Sequence, residues 1–152
     1  MNIRPYKETD KDFLVSLSTR FAESNLMGWR DPEKMEEAQL KIAKESLNDP
    51  SPGTEIFVAE EETGELLGFI EVKPHKDFLS GIEQGNIVAI AVLSKGEGKG
   101  VGKRLMEKAE EWAHQKGYHQ IILNVFAMND RAVNFYKHLN YETEVLKMVK
   151  EI

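Results

Sequence analysis

Residues 87–104 read IVAIAVLSKGEGKGVGKR, and they carry the strongest architectural signal in the chain. The first seven residues are all apolar, as in a central strand covered on both faces. A short buried helix gives the same pattern, so periodicity alone leaves both readings open. Glycines at positions 96, 98, 100 and 102 then separate the apolar run from the next segment. We expect a buried strand and then a glycine-rich turn.

The segment after the turn has the pattern of a strongly amphipathic helix. One face carries apolar residues at helical spacing, namely Val101, Leu105, Ala109, Trp112 and Ala113. Glu107, Glu110, Glu111 and His114 lie on the other face. Gly117 comes next, at the position that commonly ends a helix. This helix is therefore predicted to pack on the sheet through its apolar face.

Working outward, the remaining segments alternate between strand and helix patterns. A strand at 3–6 precedes a helix capped by Thr9 or Asp10, with an apolar stripe through Phe13, Leu14, Leu17 and Phe21. Asp31 and Pro32 suit the start of a second helix. Segments 56–59 and 66–72 predict a hairpin, and strands are expected at 120–126 and 141–149 around a short helix capped by Asn129. The pattern is a mixture of α and β.

The bulk composition narrows the class of protein. With 152 residues, 41% hydrophobic and 30% charged, the chain is expected to form one soluble domain over 1–152. Its net charge of −6 is the wrong sign for attraction to nucleic acid or to anionic lipid, and its longest apolar run is far below the roughly 18 residues of a membrane span. It contains no cysteine, and its four histidines show no metal-ligand spacing. We expect a cytoplasmic protein without nucleic-acid, membrane or metal partners.

The glycine turn has the composition of an anion site. Backbone N–H groups at a helix N-terminus attract phosphate, and glycine lets the backbone approach it closely. Two other phosphate motifs fail: a P-loop would need glycine at Glu97 and Ser or Thr at Arg104, and a dinucleotide fingerprint would need glycine at Val101 or Lys103. A flexible surface turn is the alternative.

Two motifs resemble those of the GNAT N-acetyltransferase superfamily. The first, which resembles its acetyl-CoA motif, is Ile90-Ala91-Val92 and then Glu97-Gly98-Lys99-Gly100-Val101-Gly102. The second is Asn129-Asp130-Arg131-Ala132, with Phe135-Tyr136 and Leu139-Asn140-Tyr141 after it. Glu97 departs from the Arg or Gln usual in the family, and Lys95 and Lys99 are expected to offset its charge. Together the motifs cover about 87–141.

The resemblance implies a fold and a cosubstrate. The fold is α+β: a central mixed, mostly antiparallel sheet flanked by helices, whose fourth and fifth strands splay apart around the pantetheine of acetyl-CoA. The residues that the resemblance assigns to acetyl-CoA binding are Ile90, Ala91, Val92, Gly98, Lys99, Gly100, Val101, Gly102, Lys103, Asn129, Ala132 and Tyr136. The implied activity is acetyl transfer to a small-molecule or peptide amine, and a homodimer is expected because dimers are common in the family.

The chemistry needs a group near the departing sulfur and a route for the amine proton. The resemblance places Tyr136 facing the sulfur; its alternative role is to complete an apolar helix stripe. Glu71, at a predicted strand end, and Glu83, just before the next strand, are the candidate bases, each with the alternative of a solvated charge.

Predicted irregular segments at 25–30 and 74–85 would flank the acceptor groove, with Met27, Trp29 and Phe78 as contacts. Two functions are alternatives to acetyl transfer. One is a noncatalytic acyl-CoA sensor, and the other is an interaction module that binds no nucleotide.

Overall fold

A computed structural model gives the structure of the protein and describes residues 1–20 and 26–152. Within those residues the chain forms five strands: β1 (Asn2–Pro5), β2 (Glu55–Glu60), β3 (Leu66–Lys76), β4 (Glu83–Val92) and β5 (Ile121–Leu123). The same residues form four α-helices: α1 (Lys11–Ser18), α2 (Pro32–Asn48), α3 (Val101–Gln115) and α4 (Asp130–His138). Phe21 of the predicted α1 stripe, and the first residue of the predicted segment 25–30, lie outside the described residues.

The strands lie side by side in chain order, and three of the four neighbouring pairs are antiparallel. The exception is the parallel pair of β4 and β5. This confirms a mixed, mostly antiparallel sheet and the predicted hairpin. The prediction of an irregular segment over 74–85 was wrong, because Pro74 to Lys76 pair with Gly85 to Glu83 and only 77–82 form the turn. The Asp77 N–H donates to the carbonyl of Ile82 and closes that turn.

Helix α3 covers one face of the sheet as its apolar periodicity predicted. Leu105, Met106 and Ala109 are completely buried, and Trp112 is almost so. Burial of each large apolar side chain stabilises the fold by roughly 1.5–3 kcal/mol. Gly117 lies after the helix in the left-handed conformation, with φ of 81°, as a C-terminal cap.

Helices α1 and α2 lie in contact with each other, and α1 covers the opposite face of the sheet. Leu14 and Leu17 pack there against Val58, Phe69 and Ala91. Asp31 caps α2 as predicted, because its carboxylate accepts a hydrogen bond of 3.0 Å from the Glu33 N–H.

The predicted cap of α1 has a different role. Asp10 precedes the helix, but its carboxylate accepts from the Arg4 guanidinium at 2.8 Å and from the Lys7 N–H. These bonds attach β1 to the start of α1. They also hold the pKa of Asp10 below its ordinary value, because they favour the charged carboxylate.

Strands β3 and β4 approach each other closely beside α3. A Cβ added at Gly68 would lie 2.6 Å from the Ala91 carbonyl oxygen and 3.3 Å from Leu105 Cδ1. Only glycine fits there without moving a backbone segment. This position therefore fixes the placement of the last residues of β4, which lead into the glycine turn.

Two predicted strands differ from the structure at the C-terminal side. The strand expected over 120–126 is limited to Ile121–Leu123, because the chain then leaves the sheet and turns into α4. The strand expected over 141–149 is absent from the described residues, where no strand pairs with this segment. Strand-forming residues also need an edge to pair with, and without one Val145, Leu146 and Met148 stay exposed.

Candidate active site

A cleft opens where β4 and β5 part. The two strands pair only from Gly85 to Ile87 with Ile121 to Leu123. Beyond that point a cavity of about 320 Å³ lies between them, lined by residues 87–90 of β4, by Leu123 at the end of β5 and by residues 124–126 after it. The expected separation of the fourth and fifth strands is present in the structure.

The glycine turn stands at the end of β4 and begins α3. Gly98 and Gly100 have φ of 72° and 78°, a region that side chains disfavour. Gly100 is the N-cap of α3, and the first bond of the helix runs from the Arg104 N–H to its carbonyl. No cap side chain bonds the first turn, so its N–H groups are available to an anion. The turn therefore has the local geometry expected of an anion site, and anion binding there stays a prediction.

The glycines of the turn differ in how closely other atoms approach them. No atom lies within 4 Å of a Cβ added at Gly98 or Gly100, so both glycines border open space. A Cβ at Gly102 would lie 3.3 Å from Phe135 Cζ, so this glycine allows close packing of α3 on α4. Lys99 and Lys103 are exposed, and Lys103 lies 3.8 Å from Glu107.

The charge of Glu97 is offset by arginines rather than by the lysines that the sequence suggested. Its carboxylate bonds Arg20 at 2.8 Å and Arg131 at 2.9 Å, whereas Lys95 bonds Glu65. The two guanidinium groups hold the pKa of Glu97 below its ordinary value. Arg20 also donates to the Val92 carbonyl. Sequence reasoning missed this arrangement because Arg20 lies 77 residues away along the chain.

Helix α4 brings the second motif to the other wall of the cleft. Asn129 caps it by accepting a bond of 3.2 Å from the Ala132 N–H, as predicted. Asn129, Ala132 and Tyr136 all line the cavity. The Tyr136 ring packs against Phe135 and Tyr141, and burial raises its pKa above the ordinary value of 10.0. The phenol is therefore a neutral hydrogen-bond donor at physiological pH.

Glu71 lines the same cavity. It is only 8% exposed and accepts a hydrogen bond from the Ser46 hydroxyl of α2. The sequence placed it at a strand end, but β3 continues to Lys76 and Glu71 lies in its middle. The β3–β4 register shifts beside it, so that Val88 is an extra residue opposite the Glu71–Val72 step. Such bulges re-aim side chains, and Val88 lines the cavity beside Glu71.

The second candidate base lies elsewhere. Glu83 is exposed at the start of β4, opposite Lys76, and is absent from the described cavity lining. The structure therefore brings Glu71, Ile90, Asn129, Ala132 and Tyr136 to one cavity and leaves Glu83 at the other end of its strand. Met27, Trp29 and Phe78 also lie outside that lining, and Phe78 is 88% exposed in the β3–β4 turn.

Two polar residues of α2 were missed by sequence reasoning. Gln39 lines the cavity, and Ser46 holds Glu71. They are seven residues apart and so share a helix face with Ile42 and Ala43. The available signal in the sequence was this mixture of polar and apolar residues on one face of α2. A helical pattern does not show, however, which strand that face will contact.

Two other kinds of feature are absent from residues 1–20 and 26–152. There, no group of three or more His, Cys, Asp or Glu residues has an arrangement that could hold a metal ion. Likewise, no helix in that part of the chain has the length and apolar character needed to cross a membrane.

Known proteins share this architecture. Rat N-acetyltransferase 8 is 28% identical over 101 residues, which are 66% of this chain and 44% of that protein. The chain spans less than half the length of the curated relatives it matches. A putative acetyl transferase from Pyrococcus furiosus superposes with a TM-score of 0.81 at 28% identity, covering 99% of both chains.

A more distant structure shares the fold alone. It is the aminoglycoside N-acetyltransferase AAC(6')-Iy in complex with CoA, with a TM-score of 0.73 and 21% identity over 99% of this chain and 93% of that one. A family model described as "Acetyltransferase (GNAT) family" matches residues 15–141. That match spans the cleft, the glycine turn and α4. The chain belongs to the GNAT acetyltransferase family.

Proposed function

We propose that this protein is an acetyl-CoA-dependent N-acetyltransferase that transfers an acetyl group to a primary amine by direct attack. The observation that carries the proposal is that Tyr136 of α4 and Glu71 of β3 line one cavity, in a chain whose glycine turn leaves the start of α3 without a side-chain cap. The CoA complex of a protein with the same fold also supports it.

The donor half of the proposed site uses backbone groups. The N–H groups of Gly98, Gly100, Val101, Gly102 and Lys103 would hold the pyrophosphate, and Lys99, whose own N–H donates to the Gly96 carbonyl, would contribute its ammonium group. The edge of β4 at Ile90, Ala91 and Val92 would pair with the pantetheine, and Asn129 and Ala132 would border it. The residues fit this ligand, because the space beside Gly98 and Gly100 is open and the first turn of α3 lacks a side-chain cap.

The proposed reaction forms one bond and breaks another. The amine nitrogen attacks the thioester carbonyl, the C–N bond forms, and the C–S bond breaks with its electron pair leaving on sulfur. The Tyr136 hydroxyl stabilises that sulfur by a hydrogen bond. Full proton transfer from tyrosine to thiolate is uphill by about 2 kcal/mol even at reference pKa values, and burial of Tyr136 raises this cost. Tyr136 is therefore proposed as a hydrogen-bond donor.

Glu71 is proposed to bind the amine and to help remove its proton. Alkylammonium and glutamate differ by about 6 pKa units, or ~8 kcal/mol, so direct deprotonation by an ordinary glutamate is inefficient. The buried carboxylate attracts the ammonium and orients its nitrogen, while water relays the proton to bulk solvent. Glu83 stays a weaker candidate, since it lies outside the described cavity lining.

Assay of thiol release tests the proposal. Purified protein and acetyl-CoA are incubated with a panel of amines, and free CoA thiol is measured with a chromogenic disulfide. We expect release that depends on the amine. Acetyl-CoA binding without release by any amine would favour the alternative function, a noncatalytic acyl-CoA sensor, and absence of binding would favour an interaction module.

We make three further proposals, which concern the location, the oligomeric state and the partners of the protein. We propose a cytoplasmic location, where acetyl-CoA is available, and a homodimeric assembly. We also propose that neither nucleic acid nor membrane is a partner. The net charge of −6 supports the last point, since it repels polyanions.

A further inference from the structure

The acceptor side of the cavity is mainly apolar. It is formed by α1, α2 and the middle of the sheet, and its apolar lining consists of Leu14, Ile42, Ala43, Leu47, Phe69 and Val88. Pockets of about 300–1,000 Å³ hold drug-sized ligands. The whole cavity, including the side lined by Asn129 and Tyr136, measures about 320 Å³, at the small end of that range, and the acceptor takes only part of it. It favours a compact acceptor with an apolar body.

One acceptor oxygen in this wall lacks a partner. Gln39 lines the cavity, and its Oε1 is buried without a hydrogen bond. An unpaired buried oxygen destabilises the folded protein, so its presence beside a cavity points to a ligand that donates a hydrogen bond. An ammonium group has three such donors.

Glu71 is the one charged side chain among the described residues that line the cavity. A carboxylate and an amide oxygen suffice for a single ammonium group. Spermidine or an aminoglycoside would bring several cations, and any further cation buried in this cavity would meet no counter-charge among the described lining residues.

We infer that the acceptor is a small primary monoamine with an apolar, aralkyl or branched-alkyl body, whose ammonium binds between the Glu71 carboxylate and Gln39 Oε1. Its apolar body packs on α1, α2 and Phe69. This inference rests on the proposed function and names the substrate class for that site. It assigns Gln39 a specificity role that neither sequence motif contains.

Binding of 2-phenylethylamine tests the inference separately from catalysis. Calorimetry on the full protein, saturated with CoA, compares this amine with spermidine, kanamycin and the dipeptide Ala-Phe. We expect 2-phenylethylamine to bind at least tenfold more tightly than each of the others. Equal or tighter binding of spermidine, kanamycin or the dipeptide overturns the inference.

A Gln39→Leu variant sharpens the test. Loss of the oxygen removes a bond to a charged ligand, so we expect the Kd for 2-phenylethylamine to rise about tenfold or more. The melting temperature should rise or stay constant, because an unpaired buried oxygen is gone. Gln115→Leu, at an exposed site on α3, is the matched control and should leave the Kd unchanged. An unchanged Kd in folded Gln39→Leu overturns the assignment.

Thiol release then distinguishes failure of the substrate-class inference from failure of the transferase proposal. If 2-phenylethylamine binds selectively but releases no thiol from acetyl-CoA, the recognition inference holds and the transferase proposal fails. If spermidine or kanamycin is acetylated with the highest kcat/KM, the transferase proposal holds and the inference fails.

Discussion

The proposed donor and acceptor halves of the cleft use different parts of the chain, backbone groups in one and side chains in the other. In the proposed donor half the chemistry would belong to backbone groups at the end of β4 and at the start of α3, where the glycine turn lies. In the proposed acceptor half it would belong to side chains, above all to Glu71 on β3, whose carboxylate accepts a hydrogen bond from Ser46 on α2. A site made of backbone groups depends on one short stretch of sequence. A site made of side chains forms only after elements that are distant in the sequence have packed together. Substitutions should therefore affect the two halves differently.

Tyr136→Phe should give the largest effect on rate. The variant keeps the ring that packs on Phe135 but loses the hydroxyl that we propose as donor to the departing sulfur. We expect kcat and kcat/KM to fall together by about ten- to a thousandfold, with little change in acetyl-CoA affinity. Stopped-flow thiol release and calorimetry measure the two quantities. Tyr118→Phe, against Trp112 and away from the described cavity lining, is the control.

The pH profile adds a check on Tyr136. Burial raises its pKa, so the phenol keeps its proton to higher pH than a free tyrosine does. The wild-type rate should climb from about pH 6 to about pH 9 as the amine loses its proton, without a fall from Tyr136 ionisation. A Phe variant within twofold of the wild type across this range would remove Tyr136 from the mechanism.

Gly100→Val should most weaken the donor half. A left-handed φ of 78° strains a branched residue, and the side chain would enter the open space beside the turn. We expect acetyl-CoA affinity measured by calorimetry to fall about a hundredfold, since several backbone donors lose their alignment. Gly64→Val is a matched control in the β2–β3 turn, with φ of 87° and equally open surroundings. Equal affinity in both folded variants would contradict the assignment.

Glu71→Gln should affect the acceptor half alone. Loss of the charge should raise the KM for the amine and lower kcat/KM by about tenfold or more, while acetyl-CoA affinity stays within twofold. Glu83→Gln is the natural comparison, because it changes the same side chain at the exposed end of β4. Steady-state kinetics should leave Glu83→Gln within twofold of the wild type. The reverse ranking would transfer the proposed role to Glu83.

Ser46→Ala should give the smallest of these effects. Ser46 donates a hydrogen bond to the Glu71 carboxylate and is absent from the described cavity lining, so we propose it as a positioning residue. We expect the KM for the amine to rise about three- to tenfold with kcat nearly constant, since Glu71 keeps its charge but loses its orientation. Ser46→Thr restores a hydroxyl and should restore most of the affinity. A uniform loss of kcat in both variants would indicate general destabilisation instead.

The contrast between the halves also explains which features the sequence could predict. The order of elements, the hairpin, the glycine turn and the capping Asn129 depend on local patterns, and the structure contains them. The strand predicted at 141–149 was wrong because strand formation depends on a partner edge as well as on residue type. The positions of Gln39 and Ser46 in the site depend on how α2 packs, and neither residue has a local signature.

The bonds of Glu97 illustrate the same limit. Sequence neighbours suggested Lys95 and Lys99 as its counter-charges, but the chain brings Arg20 and Arg131 to it from distant segments. Proximity along the sequence is a poor guide to the partner of a surface charge, since long side chains reach whatever the fold brings near. Only the tertiary structure identifies such partners.

The tight contact at Gly68 has a consequence for mutational scanning. Any side chain there would push against the Ala91 carbonyl, within the strand that precedes the glycine turn. Nearly every substitution at Gly68 should therefore abolish growth in a selection for activity, with a profile like that of a catalytic residue. The position nonetheless contributes no chemical group. Intolerance to substitution at this site would report the spacing of two strands, and a fitness map alone would misassign it to the reaction.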